Sequence, residues 1–91
     1  MTNPELLTPP SGMRILVVSA SGDLGRALLG QLAQFDLVVG AHGRSRLDAL
    51  RVFESGHSAT VKVFPSDLSD RAACHALVDD YVEWAGGIDA L

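Results

Sequence analysis

Short apolar runs alternate along the chain with stretches of helical periodicity. The runs fall within residues 14–19, 37–41 and 59–64. Continuous apolar runs of this kind are typical of parallel strands that are buried on both faces. After each run, apolar residues recur at spacings of three and four, as on one face of an amphipathic helix. The pattern predicts three strand–helix units, and residues 88–91 resemble the start of a fourth strand.

The helix boundaries can be predicted from capping residues and glycines. The first helix is expected over residues 24–35, with Leu24, Leu28 and Leu32 at spacing four and Ala27 and Leu29 beside them on the face towards the core. Ser45 is the expected N-cap of the second helix, and Gly56 is expected in a left-handed conformation at its end. The core face of this helix is predicted to consist of Leu47, Leu50 and Phe53.

The third helix is longer, and Gly86-Gly87 is predicted to end it. Ser69 or Asp70 is its expected N-cap. Its apolar stripe is predicted to consist of Ala73, Leu77, Val78, Tyr81, Val82 and Trp84.

The regular alternation predicts an α/β fold of the Rossmann-like kind. Strands joined by helices pair in parallel through right-handed crossovers, which gives a doubly wound sheet. We expect helices on both faces and the strand order 3-2-1-4, in an incomplete domain over residues 13–91. Residues 1–12, rich in proline and small polar residues, are expected to be a flexible leader.

Composition narrows the possible partners. Hydrophobic residues make up 47% of the chain, which is enough for a core, and the net charge is −4. The basic residues form no run, so we expect neither nucleic acid nor a membrane as a partner. The single cysteine, Cys74, permits no intrachain disulfide and favours the cytoplasm. We expect it to be a small packed thiol, and without a His/Cys cluster we expect no metal site.

The connection after the first strand is the first candidate site. It reads Ser19-Ala20-Ser21-Gly22-Asp23-Leu24-Gly25, with Gly22 and Gly25 at the second and third positions of a G-x-x-G-x-x-G spacing. The first turn of a helix presents backbone N–H groups without partners and carries about half a positive charge. Glycines let a pyrophosphate approach that end closely. The stretch predicts either a dinucleotide turn or a strand-to-helix connection that only resembles one.

The end of the second strand carries the second candidate site. An NAD-binding fold usually has an acidic residue here, about 20 residues beyond the glycines, to bind the ribose 2′-hydroxyl. This chain has Gly43-Arg44-Ser45 instead. A guanidinium can bind a 2′-phosphate in a bidentate manner, and Gly43 is expected to leave space for that phosphate. We therefore predict NADP rather than NAD, with a solvated loop arginine as the alternative.

Four segments, in this order, resemble the N-terminal part of the short-chain dehydrogenase/reductase family. They are "VVSASGDLGRALLGQLA", "HGRSRLDAL", "FPSDLSD" and "GGIDAL". NADP-preferring members commonly have Gly-Arg where Gly43-Arg44 stand. The resemblance implies that Asp67 and Leu68 line the adenine pocket, although Asp67 also suits a plain turn before the helix cap.

Two residues depart from the family pattern. Ser19 stands where the family has glycine, so its Cβ is expected to crowd the turn. Asp23 also stands at a glycine position and brings negative charge close to the pyrophosphate. Both departures bear on cofactor affinity more than on cofactor location.

The catalytic residues that the resemblance implies are not in this sequence. The family uses a Ser and a Tyr-x-x-x-Lys pair, and an Asn-Asn-Ala-Gly turn follows its fourth strand. The single tyrosine here is Tyr81, four residues before Ala85, and the single lysine is Lys62. We expect Tyr81 to be a packing residue and assign no catalytic residue.

The predicted function is the NADP-binding portion of a reductase that transfers a hydride between NADP(H) and a carbonyl or alcohol. We expect an oligomer, with the remainder of the reductase or a partner chain covering the sheet edge. The alternative is a non-enzymatic NADP-binding or interaction module of the same fold. A receiver-type signalling domain is disfavoured because Ser19-Ala20-Ser21 replaces its acidic pair. A P-loop nucleotidase is disfavoured because no Gly-Lys-Ser/Thr follows Gly25.

Overall fold

A computed structural model describes residues 10–91 as a three-stranded parallel sheet with helices packed on it. Residues 1–9 of the predicted leader lie outside the described residues. The elements are β1 (Met13–Val17), α1 (Asp23–Leu32), β2 (Leu37–Gly43), α2 (Leu47–Arg51) with a following 3₁₀ turn (Val52–Glu54), β3 (Thr60–Pro65) and α3 (Arg71–Ala85). The predicted α/β alternation is confirmed.

The strands lie in the order β1-β2-β3, and both pairs are parallel. Beside β1, Ala90 forms a single parallel bridge with Ile15. In this bridge the Leu16 N–H donates to the Ala90 carbonyl at 3.1 Å. Residue 90 therefore lies next to β1, whereas a full fourth strand, and with it the complete order 3-2-1-4, stays a prediction.

Helices cover both faces of the sheet, as predicted. One buried cluster joins the sheet to α1 and α2, and its members include Val17, Val39, Val63, Leu29 and Leu50. The other joins the opposite face to α3 and consists of Leu16, Phe64, Leu77 and Tyr81. Right-handed crossovers explain this division: the chain moves from β1 to β3 in one direction, and α3 then leads it back towards β1. The chain therefore reverses direction beside β1.

α3 approaches the sheet closely at Gly40. A Cβ atom at this position would lie 2.4 Å from Cδ1 of Tyr81, so only glycine fits under the ring. The Tyr81 hydroxyl donates to the Val38 carbonyl at 3.0 Å. Burial raises the pKa of Tyr81 to about 12. Tyr81 is thus a packing residue, as its place on the helical stripe predicts.

Arg14 binds the segment that follows α3. Its Nε lies 3.0 Å from Asp89 Oδ2, and its Nη2 lies 3.1 Å from Oδ1. The Arg14 backbone N–H also donates to Asp89 Oδ2, and Nη1 donates to the Gly86 carbonyl. The hydrogen bonds from the guanidinium lower the pKa of Asp89. This ion pair holds residue 90 beside β1.

The core-facing side of α1 differs from the prediction. Leu29 is fully buried and Leu32 packs against the same cluster, but Leu24 is 85% exposed and Leu28 is 47% exposed. The spacing-four stripe is therefore the wrong face for two of its three leucines. The reason is that α1 packs through Gly25, Leu29 and Leu32, a face that is rotated about the helix axis away from Leu24 and Leu28.

The end of β2 and the start of α2 also differ from the prediction. β2 continues to Gly43 rather than stopping at residue 41, because His42 is buried and still pairs with Phe64 of β3. The N-cap of α2 is Arg46, in a left-handed conformation with φ of +53°, and not Ser45. Leu50 is buried in the predicted face, and Gly56 has the expected positive φ of +78°.

α3 begins and ends as predicted, but two of its residues are more exposed than predicted. The Asp70 carboxylate accepts from the Ala73 N–H at 2.8 Å, so Asp70 and not Ser69 is the cap. Gly86 ends the helix with φ of +83°. Cys74 is exposed rather than packed, and Val78 of the predicted stripe lies at the exposed margin. Both residues point away because one stripe of this helix is enough to cover the sheet face.

Candidate functional site

The carboxyl ends of the three parallel strands meet at one edge of the sheet. The connections that leave this edge are residues 18–22, 44–46 and 66–70. All the predicted site residues lie in these connections or in the first turn of α1, namely Ser19, Ser21, Gly22, Asp23, Leu24, Gly25, Arg44, Ser45, Asp67 and Leu68. In open α/β sheets, ligands bind outside the carboxyl ends of the strands, where the chain reverses direction.

The turn after β1 is compact because Gly25 lacks a side chain. A Cβ atom at Gly25 would lie 2.5 Å from the Ser19 carbonyl oxygen and 2.6 Å from Ala20 Cα. Such distances do not occur between non-bonded atoms, so α1 requires glycine here in order to touch the turn. Ser19 itself has φ of +58°, in the left-handed region that favours glycine. The Gly22 N–H donates to the Ser19 carbonyl at 3.3 Å and closes the turn.

α1 begins without a side-chain cap. Gly22 is the N-cap, in an extended conformation, and it has no side chain to accept from the first-turn N–H groups. Those groups are therefore free to bind an anion. Asp23 sits in this turn, and its carboxylate lies 2.8 Å from Nη2 of Arg26. The ion pair offsets part of the negative charge that Asp23 brings to the helix end.

The end of β2 packs against the turn after β1. A Cβ atom at Gly43 would lie 2.9 Å from Cδ1 of Leu50 and 3.2 Å from Oγ of Ser21. The expectation that Gly43 leaves open space is therefore wrong: the glycine lets α2 and Ser21 approach the strand. Arg44 and Ser45 follow and are exposed at the rim of the edge.

The connection after β3 completes the edge. The Ser66 N–H donates to the Gly43 carbonyl at 3.1 Å, which ties this connection to β2. Asp67 is exposed, whereas Leu68 is half-buried against the cluster under α3. The structure thus brings Ser21 towards the end of β2. Asp67 and Leu68 lie beyond it, at the start of the next connection.

His42 is a buried residue of this edge, although it lies just beyond the apolar run of residues 37–41 that predicts β2. Its Nδ1 lies 3.0 Å from the Ser19 backbone nitrogen, and its Nε2 lies 2.9 Å from the Ser66 carbonyl oxygen. Its own carbonyl accepts from the Ala20 N–H at 2.7 Å. No sequence spacing predicts these contacts, because every partner is a backbone group from another connection.

Two further features bear on the kind of site. Among residues 10–91, no group of three or more His, Cys, Asp or Glu side chains is arranged to hold a metal ion. Within the same residues, no helix is long and apolar enough to cross a membrane.

A parallel sheet, helices on both faces and a tight glycine turn at the carboxyl end of β1 define a Rossmann-like fold. No protein-family model matches the chain. A fatty acyl-CoA reductase of Mycobacterium tuberculosis is 40% identical over 83 residues, 89% of this chain and 28% of that protein. Nodulation protein G of a Rhizobium species is 33% identical over 81 residues, 89% of this chain and 33% of that protein.

Solved structures of reductases and dehydrogenases also resemble this chain. An NADH-dependent reductase responsible for alginate metabolism superposes with a TM-score of 0.70 at 29% identity, over 87% of this chain and 33% of that one. A protein of Sinorhizobium meliloti assigned as a short-chain alcohol dehydrogenase gives 0.73 at 25% identity, over 88% and 32%. In sequence and fold, the chain is similar to the N-terminal Rossmann portion of short-chain dehydrogenases/reductases. It spans about a third of the length of the relatives that it matches.

Proposed function

We propose that the chain is the NADP-binding portion of a short-chain reductase that transfers a hydride between NADP(H) and a carbonyl or alcohol substrate. The observation that carries the proposal is the uncapped N-terminus of α1, held against the turn after β1 by Gly25. This arrangement offers backbone N–H groups and a close approach, which a pyrophosphate requires. Similarity to oxidoreductases in this region supports the same reading.

The residues of the edge have complementary parts in cofactor binding. Gly22, Asp23, Leu24 and Gly25 provide the first-turn N–H groups for the pyrophosphate, with the Ser19 and Ser21 connection beside them. Asp67 and Leu68 are proposed to line the adenine pocket, which the half-buried Leu68 suits better than a fully exposed side chain would. The bound nicotinamide would supply the hydride chemistry; the residues of this chain bind and orient it.

Arg44 supports NADP over NAD. It is exposed one residue beyond β2, at the same edge as the turn after β1. A guanidinium there is free to pair with a 2′-phosphate, and an exposed Ser45 adds a hydroxyl donor. One structural neighbour is an NADH-dependent reductase, so cofactor preference has to be measured for this chain.

The rest of the reductase is the proposed partner of the exposed apolar surface. Leu24 and Leu28 of α1 are exposed, as are Ile88 and Leu91 beyond α3. Leu24 and Leu28 lie about one turn apart on α1, and Ile88 and Leu91 line one shallow pocket, so each pair is a candidate interface contact. The single tyrosine, Tyr81, is buried, and the single lysine, Lys62, is exposed with its Nζ 5.3 Å from the centre of the Phe64 ring. The catalytic groups of the proposed reductase would therefore lie outside residues 1–91.

Arg44→Ala tests the cofactor assignment. The wild-type chain is expected to bind NADPH more tightly than NADH in calorimetric titrations. The substitution is expected to weaken NADPH binding about tenfold or more, because a charge-assisted contact is lost, and to leave NADH binding nearly unchanged. Arg51→Ala is the matched control, since Arg51 is an exposed arginine in an ion pair with Glu54. Equal affinity of the wild type for the two cofactors contradicts the assignment.

A second measurement separates the reductase from a non-enzymatic NADP-binding module. The chain would be supplied with the remainder of a short-chain reductase and assayed for NADPH oxidation with a panel of carbonyl compounds. Turnover supports the reductase. Retained NADPH binding without turnover of any carbonyl favours the module.

A further inference from the structure

We propose that His42 is a positioning residue that sets the shape of the dinucleotide turn, an inference that rests on the proposed function. His42 is the sixth residue of β2 and is 4% exposed. Its ring joins the connection after β1 to the connection after β3, and its peptide carbonyl binds the first of these again. One residue thus contacts two of the three connections that form the binding edge.

The partners fix the protonation pattern of the ring. The Ser19 N–H can only donate, so Nδ1 of His42 must be an acceptor without a proton. The Ser66 carbonyl can only accept, so Nε2 must carry the proton. The neutral Nε2–H tautomer therefore satisfies both ring nitrogens. An imidazolium would bring one N–H against another and lose the bond to Ser19.

Two hydrogen bonds from His42 hold the backbone at Ser19, the strained residue of the turn after β1. Ser19 has a left-handed φ that costs a non-glycine residue stability. Its N–H binds the imidazole, and the next N–H, that of Ala20, binds the His42 carbonyl. These bonds hold the backbone in a conformation that glycine would adopt without help. His42 therefore compensates for serine at this position.

The backbone conformation of Ser19 determines the phosphate-binding surface. The Ser19 carbonyl accepts from Gly22 and is also the atom that a Cβ at Gly25 would meet first. Movement of Ser19 would consequently displace the N-cap and the first turn of α1. The hydrogen bonds of His42 go to Ser19, Ala20 and Ser66 and not to the first turn of α1, so His42 acts on that turn through Ser19 and Ala20.

A double-substitution series tests this role by NADPH titration of the full chain. His42→Leu is expected to raise the Kd about tenfold, which corresponds to about 1.4 kcal/mol. His42→Asn keeps an acceptor for the Ser19 N–H and should raise the Kd less. It replaces His42→Leu in the series if the leucine variant does not fold. Adding Ser19→Gly should recover most of the loss, since glycine needs no tie. His75→Ala, an exposed histidine of α3, is the control and should bind as the wild type does.

Two results overturn the proposal. One is additivity, in which Ser19→Gly changes the Kd by the same factor with and without His42. The other is a ¹⁵N spectrum in which Nδ1 of His42, rather than Nε2, carries the proton. If the wild type binds no dinucleotide, the proposed function fails separately. The free energy of unfolding then tests the role of His42. Ser19→Gly must raise it more in the His42→Leu or His42→Asn chain than in the wild type, and an equal increase refutes the role.

Discussion

At the scale of single residues, two glycines of α1 have opposite roles. Gly25 lies against the turn after β1, where a Cβ atom would meet backbone at 2.5 Å. Gly30, one and a half turns further on, has no atom within 4 Å of a Cβ position. The same residue type is thus required at the first position and only tolerated at the second. The proposed pyrophosphate site depends on the first.

Gly25→Ala is expected to lower the free energy of unfolding by about 1–3 kcal/mol, because α1 must move away from the turn. It should also abolish measurable NADPH binding. Gly30→Ala is the matched control and is expected to raise the free energy of unfolding by up to about 1 kcal/mol through helix propensity. Urea denaturation followed by circular dichroism measures both. Equal effects of the two substitutions would refute the close contact at Gly25.

At the scale of elements, α3 is positioned by a contact between a ring and a glycine. Tyr81 lies over Gly40 of β2, and its ring meets Phe64 of β3 edge-on at 5.9 Å between centroids. Its hydroxyl satisfies the Val38 carbonyl. α3 therefore has one main anchor on its face of the sheet, while α1 and α2 share the other face.

Gly40→Ala is expected to destabilise the chain by about 1–3 kcal/mol, because a Cβ atom would lie 2.4 Å from the Tyr81 ring. Substituting Tyr81→Leu in the same chain should remove part of that cost, since the ring that clashes is gone. Urea titrations of the two single variants and the double variant measure the coupling. Strictly additive losses would show that the ring does not limit this position.

At the scale of the whole molecule, the ion pair between Arg14 and Asp89 connects β1 to the segment after α3. The pKa of Asp89 is lowered in the folded chain, so the folded state binds its proton less readily than the unfolded state. The stabilisation is therefore present above the ordinary aspartate pKa of about 4 and is lost as the pH falls below it.

Asp89→Asn is expected to lower the Tm at pH 7, where the wild-type carboxylate is ionised. The difference between variant and wild type should shrink as the pH is lowered through the range below about 4. Asp79→Asn, an exposed aspartate of α3, is the control and should follow the wild type. Thermal melts at several pH values give the comparison. A constant difference at all pH values would contradict the contribution of the ion pair.

The sequence predicts the strand–helix alternation because buried parallel strands need continuous apolar runs. It predicts part of the wrong side of α1, since periodicity identifies apolar side chains but not the close approach at Gly25, which sets the face that packs. Leu24 matches the stripe and is exposed, while Leu29 is buried. Ser45 is predicted as the N-cap of α2 because serine is a common N-cap residue, but the N-cap is Arg46, in a left-handed conformation.

For the candidate site, glycine spacing predicts the close contact at Gly25 because only glycine permits it. The role of Gly43 was interpreted wrongly, since a missing side chain can serve packing as well as leave space. The contacts of His42 could not be predicted from the sequence, because its partners are backbone groups that the sheet brings near it. Contacts of that kind follow from three-dimensional proximity and leave no residue pattern.

The contact between Arg14 and Asp89 joins residues that are 75 positions apart. On a ribosome, β1 emerges long before its partner on this side, and a contact that closes so long a loop forms late in folding. Until then, one edge of β1 is open to pairing with other chains. Because a charged residue within an edge strand discourages such pairing, we expect Arg14 to limit aggregation through β1 before its contact with Asp89 forms.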